Sequence, residues 1–527
     1  MILRRQNEPG WNRRQFLLLA GSATLLLGVG ACVTKTAPDA ATSAAAPPVS
    51  EPQRGGSLRI AFSGSSSLLD PAIAFSYEDR NILLGVYEGL TYVDDTLQLQ
   101  PRLSTSWDVA DDGLSWTFQL REGVTFQHGT PFTAEDVVYT FERILNPDLG
   151  AGVRSALTFI EGIEAIDDYT VRFLLNSPNV DLPLLAGMPD TLIVPHDRTT
   201  EELAGEASGT GPFRIAEYMP GDHTTLVSND AYWNEGIPYL DEIQHLYIPE
   251  MATQVAALTS GTIDVIWQLT SENIPLLETL PDASVEEVLG ASYQPIIMQV
   301  DQAPFDDMRV RQALKYCVDR PGMMQAVLQG KGTVGNDQPI TPIHPLWGDT
   351  AVREQDIEKA KQLLVEAGYP NGLELTLVTS PIRPGMVETA IAFQEMVKPA
   401  GITIEIERVP PDAYWSEYWM QVPFFLSNYP VFLSADFLLT TMYHSEGVWN
   451  ESRIQDPKLD ALIESARAEQ DPDARRQLYA EVQQLISDEG GTIVPYFRSL
   501  FWGRRNNVHG LVYTPESLMF CHNAWLA

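Results

Sequence analysis

The sequence predicts an α/β protein of two or three domains, and three observations carry that expectation. About 475 residues remain once an unusual N-terminal stretch is set aside, too many for one ordinary core. LELTLV at 373–378 and ITIEIERV at 402–409 bracket a helical segment, and a strand–helix–strand unit argues for a parallel sheet. Strand-like segments dominate up to about residue 300, helical ones after 305, and a strand returns with TIVPYF at 492–497.

The elements follow in order. SLRIAF at 57–62 alternates like a strand leaving a Gly-Gly turn. Residues 107–116, WDVADDGLSW, place an Asp-Gly turn between strand-like flanks, a hairpin rather than a calcium loop, because Ala110 occupies a ligand position. Thr133-Ala-Glu-Asp136 opens a helix with a capping-box pattern, and Ala134, Val137, Val138, Phe141, Ile144 and Leu145 form its apolar stripe. Strands are expected at 171–175, 213–218, 242–248 and 295–300, with one helix at 252–261 stopped by Gly261. Asp356 caps a helix that Gly368 ends, and two late helices begin at Asp456-Pro457 and Asp471-Pro472 with proline in the first turn.

The N-terminus reads as a leader. Residues 13–17, RRQFL, resemble a twin-arginine export signal, and the apolar run from Phe16 to Ala31 is shorter than the roughly 20 residues of a spanning helix. Val29-Gly30-Ala31-Cys32 resembles a lipobox, which would make Cys32 the lipidated first residue of the mature protein. Residues 32–53 are rich in Ala, Pro, Ser and Thr and form a tether with no apolar period. The expected location is the outer face of the cytoplasmic membrane, periplasmic or extracellular.

The net charge of −36 becomes more negative when residues 1–31 and their four arginines leave, which disfavours nucleic acid and anionic membranes as partners of the body. Cys317, on an apolar helix face with Val310, Ala313 and Leu314, reads as a buried free thiol; pairing with Cys521 stays open. No zinc spacing, P-loop, dinucleotide loop or nucleophile elbow is present, so neither a metal, a cofactor nor an enzyme is expected.

Residues 101–147, from PRLSTSW to FERILNP, resemble the signature block of the extracellular solute-binding proteins of family 5, the peptide/nickel-type receptors of ABC importers. Blocks at 209–233, 304–320, 358–372 and 449–466 match in the same order. The resemblance implies a two-lobed periplasmic-binding-protein-like fold (class II) with a two-strand hinge and an extra domain on the first lobe. Carried onto this chain, lobe I takes 54–88, 209–301 and 490–527, the extra domain 89–208 and lobe II 302–489. It implies a monomeric receptor that captures a peptide or peptide-like solute between the lobes and delivers it to a membrane permease. A sugar, opine or metal chelate, or signalling without transport, is the alternative.

Cleft walls in this class are aromatic with a few polar groups. Trp267, Tyr293, Trp419 and Tyr429 are the candidates for those walls. Peptide binders of the family typically carry an aspartate after a tryptophan near here to hold the ligand's ammonium. That position holds the neutral Asn428, and Asp436 is the nearest substitute along the chain.

Overall fold

A computed structural model describes residues 51–527 except 95, 349 and 431. The leader, Cys32 and most of the tether lie outside the described residues. Each lobe is built on its own sheet. The first lobe carries a nine-stranded mixed sheet, in which Ser57–Phe62 lies parallel to both Glu242–Tyr247 and Val265–Ile266. The second carries a five-stranded sheet in which Leu373–Thr379 and Ile402–Arg408 run parallel, joined by the helix Met386–Val397. A four-stranded antiparallel sheet of Ser104–Val109, Ser115–Leu120, Thr170–Leu175 and Ile160–Asp167 has a core of its own around Phe118, Phe141 and Phe173.

Local signals explain most elements. In the helix Ala134–Leu145 the Asp136 carboxylate accepts from the Thr133 N–H at 2.8 Å, closing the expected box. Asp356, Asp456 and Asp471 each accept first-turn N–H groups as caps, and Gly261 ends the helix Met251–Ser260 at φ 74°. Cys317 and Cys521 are both free, and burial pushes the Cys317 thiol up to about 12.

The passage between lobes differs from a two-strand hinge. Ala283–Tyr293 belongs to the first sheet and Ile296–Met298 to the second; Thr492–Ile493 belongs to the second and Tyr496–Arg505 to the first. A third passage runs from Phe424–Leu426 in the second sheet to Tyr429–Pro430 at the edge of the first. The expected strand 492–497 is therefore split, with Pro495, which has no N–H to give a ladder, in the break. Ile296–Met298 and Thr492–Ile493 lie in the second sheet, whereas the sequence division set 209–301 and 490–527 in lobe I.

Candidate functional site

In open α/β sheets, ligands bind beyond the carboxyl ends of parallel strands. In the first lobe that end holds residues 63–66 and Trp267, and the helix Tyr77–Val86 starts above it, capped by Ser76, whose side chain accepts from the Asp79 N–H. Tyr77, the first residue of this helix, is 36% exposed and tilts against Trp267 at 5.7 Å. Trp267 itself is buried. It stacks on Phe62 at 5.1 Å and donates its indole N–H to the Ser517 carbonyl at 3.1 Å. It is the floor under Tyr77 rather than a free wall.

In the second lobe, Leu373–Thr379 ends in the loop 380–385. The Gln294 amide donates to the Pro384 carbonyl at 2.5 Å, and Tyr496 donates to Gln294 at 3.0 Å, which ties this loop to the passages between lobes. Gly385 permits the approach: its φ is 94°, and a Cβ there would meet the Gln294 oxygen at 2.6 Å. Arg383 in this loop is near enough for its charge to act on the Tyr77 hydroxyl. Burial raises the Tyr77 hydroxyl, Arg80 lowers it, Glu516 raises it and Arg383 lowers it. Tyr77 thus stands in the fields of two guanidinium groups and one carboxylate from both lobes.

These charges are not equally committed. Arg80 pairs with Asp190 at 2.7 Å. Arg383 is exposed and forms no ion pair among the described residues. The Glu516 carboxyl is pushed up to about 7 by burial, against the pull of Arg80. Sequence reasoning missed Tyr77, Arg383 and Glu516. The signal for Arg383 was its place in Pro-Ile-Arg-Pro-Gly, just past a strand of the parallel unit.

Three of the expected wall residues do come together, but around an unforeseen acid. Glu451, 2% exposed, accepts from the Trp419 indole, from Ser427 Oγ at 2.7 Å and from Tyr429 OH at 2.6 Å. Tyr429 meets Tyr293 edge-on at 5.1 Å, and both rings are buried at the junction of the lobes. Trp419 alone of these rings is half-buried. Asn428 lies between Ser427 and Tyr429 in the third passage, half-buried, and its amide makes no hydrogen bond among the described residues. Asp436 is engaged elsewhere: it pairs with Arg467 at 2.8 Å and accepts from Asn179 at 3.2 Å, so it is not free to replace the missing aspartate.

One hydrogen-bond chain has the composition of a nucleophile relay. His128 Nδ1 lies 2.7 Å from Ser208 Oγ, and its Nε2 lies 3.2 Å from Asp197. Ser208 is buried and its backbone N–H donates to Tyr87 OH, so a substrate carbonyl has no approach. Among the described residues no group of three or more His, Cys, Asp or Glu is placed to hold a metal, and no helix is long and apolar enough to cross a membrane.

Two α/β lobes, each built on its own sheet and joined by short passages, define a bilobal binding protein of the class II periplasmic type. The chain belongs to the bacterial extracellular solute-binding proteins, family 5, whose middle-region model matches residues 98–450. It is similar to heme-binding protein A of Haemophilus influenzae, 29% identical over 427 residues that cover 74% of this chain and 77% of that one. It is also similar to the glutathione-binding protein GsiB of Escherichia coli (strain K12), 26% identical over 476 residues covering 87% and 92%. Among solved structures it resembles the periplasmic binding protein DppA of Helicobacter pylori in complex with the peptide STSA, with TM-score 0.74, 25% identity and coverage of 90% and 98%.

Proposed function

We propose that this protein is the substrate-binding subunit of an ABC importer and that its solute is peptide-like, with a carboxylate at one end and an amine at the other. The observation that carries the reading is the family match over residues 98–450, to which the structure adds an exposed Arg383 with no ion pair among the described residues and a Glu516 whose carboxyl burial pushes up to about 7. Arg383 suits a carboxylate, which a guanidinium can bind through two parallel N–H···O bonds. Glu516 supplies the negative charge that Asn428 lacks, and Asn428 offers a neutral hydrogen bond. The peptide and glutathione named for two of the similar proteins fit this chemistry. A solute bridging both lobes favours the closed form by its differential contacts, and the permease reads that form.

Calorimetric titration with a tripeptide, its N-acetyl form and its C-terminal amide tests this. A hydrogen bond to a charged group contributes about 1.5–3 kcal/mol. Arg383→Gln should therefore weaken the free tripeptide by roughly 10- to 100-fold and leave the amide unchanged. Because Glu516 ionises near pH 7, preference for the free amine over the acetylated form should grow as pH rises from 6 to 8. Equal affinities for all three ligands in wild type would sink the reading.

We also infer from residues 12–32 that the chain is exported through the twin-arginine route and anchored by lipid on Cys32, with the body working as a monomer outside the cytoplasmic membrane. One acyl chain binds a membrane only marginally, so stable anchoring needs the further chains of lipoprotein maturation. Cys32→Ser should move the protein from the membrane fraction to the soluble one. A variant that sediments with membranes as wild type does would refute the anchor.

A further inference from the structure

Residues 179–181 leave the four-stranded sheet and meet helices of the second lobe. Asp181 Oδ1 accepts from Arg475 at 2.6 Å and Oδ2 from Ser434 Oγ at 2.6 Å. Asn179 donates to Asp436 at 3.2 Å, and the Val180 N–H donates to the Arg467 carbonyl at 3.1 Å. Asp436 and Thr440 in turn hold the Arg467 guanidinium at 2.8 and 2.6 Å. The short segment is preformed: the Asn179 side chain accepts from the Asp181 N–H at 2.8 Å, and Trp116 donates to the Asn179 carbonyl at 3.1 Å.

The two sides of this contact belong to different bodies. The four-stranded sheet is fastened to the first lobe through buried Glu88, which pairs with Arg102 at 3.1 Å and accepts from Thr210, Tyr232 OH and the Trp233 indole at 2.7–2.9 Å. The helix Pro472–Glu489, which carries Arg475, is fastened to the second lobe: Arg311 donates to the Glu489 carbonyl at 2.6 Å and Lys315 to the Ser487 carbonyl at 2.8 Å. Residues 179–181 therefore travel with the first lobe and their partners with the second.

We propose that residues 179–181 form a latch, distinct from the ligand site around Tyr77, that holds the two lobes closed through Asp181 with Arg475 and Ser434 and through Asn179 with Asp436. Charge-assisted hydrogen bonds made between two bodies favour the state in which they form. Apparent affinity falls by the fraction of protein in the competent closed form, so the latch sets how tightly any solute is held without touching it. This role also explains why Asp436, the acid nearest Asn428 in sequence, is withdrawn from ligand binding.

The test begins without ligand, so that failure of the peptide reading does not decide it. Asp181→Asn and Arg475→Gln should enlarge the ligand-free protein's radius of gyration in solution scattering. Deuterium exchange at the Val180 amide should quicken at least tenfold. In a second arm, the free tripeptide should bind about tenfold more weakly to both variants. Where circular dichroism shows that either variant fails to fold, Asn179→Ala, which removes the bond to Asp436, should give the same changes in smaller measure. An unchanged radius of gyration overturns the latch, whether exchange at Val180 is unchanged or only locally faster.

Discussion

Asp337→Asn should lower the stability of the second lobe by about 3–5 kcal/mol, the range for breaking a buried ion pair from one side. Asp337 is fully buried between Arg320, also fully buried, and Arg353, each at 2.6 Å, and its Oδ1 accepts from the Val494 N–H at 3.0 Å in the passage between lobes. Burial alone would raise this carboxyl, but Arg320, Lys315 and Arg353 outweigh it and hold it below the usual range. A depressed acid contributes stability that is present above its unfolded pKa and is lost as pH falls through the folded one. Lys315 works in the opposite sense: burial pushes it down to about 7, so stability rises as pH climbs from 7 toward 10.5. Asparagine is the informative replacement because Asp337 has φ 59°, a left-handed conformation that Asn tolerates. It removes the charge without backbone strain. For a lobe of this size the thermal midpoint should fall on the order of 10 °C. A drop under 1 kcal/mol for Asp337→Asn would mean that water reaches the guanidinium groups.

What was legible in the sequence were features with local causes. Thr133 with Asp136, Asp356, Asp456 and Asp471 announce helix starts because a capping side chain bonds an N–H only two or three residues away. The parallel unit at 373–409 is legible because a strand, a helix and a strand of the right lengths admit few other packings. The splitting of 492–497 was not, because each half reads as strand and only tertiary pairing decides which sheet takes it. The site was less legible still. Tyr293, Tyr429 and Trp267 are aromatic, but aromatics fill cores as readily as they line clefts, and burial is decided by partners far away in sequence. Arg383 and Glu516 stand 133 residues apart in sequence, and no local pattern marks either as a charge acting on Tyr77.

Glu451→Gln should make the protein more stable at pH 8 and leave it nearly unchanged at pH 4.5. Burial pushes the Glu451 carboxyl up to about 7, against the pull of its bonds from Tyr429, Trp419 and Ser427. All three donors are neutral, so no cation offsets the cost of burying the charge. Between pH 4.5 and 7 the native state keeps a proton that the unfolded chain has released. The resulting stability is complete below the unfolded pKa and is lost as pH rises through the folded one, by about 3 kcal/mol at most. Glutamine accepts from Trp419 and Ser427 with its carbonyl and donates to Tyr429 with its amide, so the variant should show none of that loss. Glu516 titrates in the same window in both proteins, and the difference between their urea midpoints plotted against pH therefore isolates Glu451. Parallel curves from pH 4.5 to 8 would refute the assignment. Glu451→Ala is the contrasting case. It strands two buried donors, Ser427 and Tyr429, at about 1–3 kcal/mol each, together with the half-buried Trp419 indole, and should destabilise at every pH. The cost would fall on the third passage, because Ser427 and Tyr429 bracket Asn428 and Glu451 holds both. With that clamp gone, Asn428 loses its fixed place between the lobes, so Glu451→Ala should also weaken the free tripeptide in the same calorimetric titration.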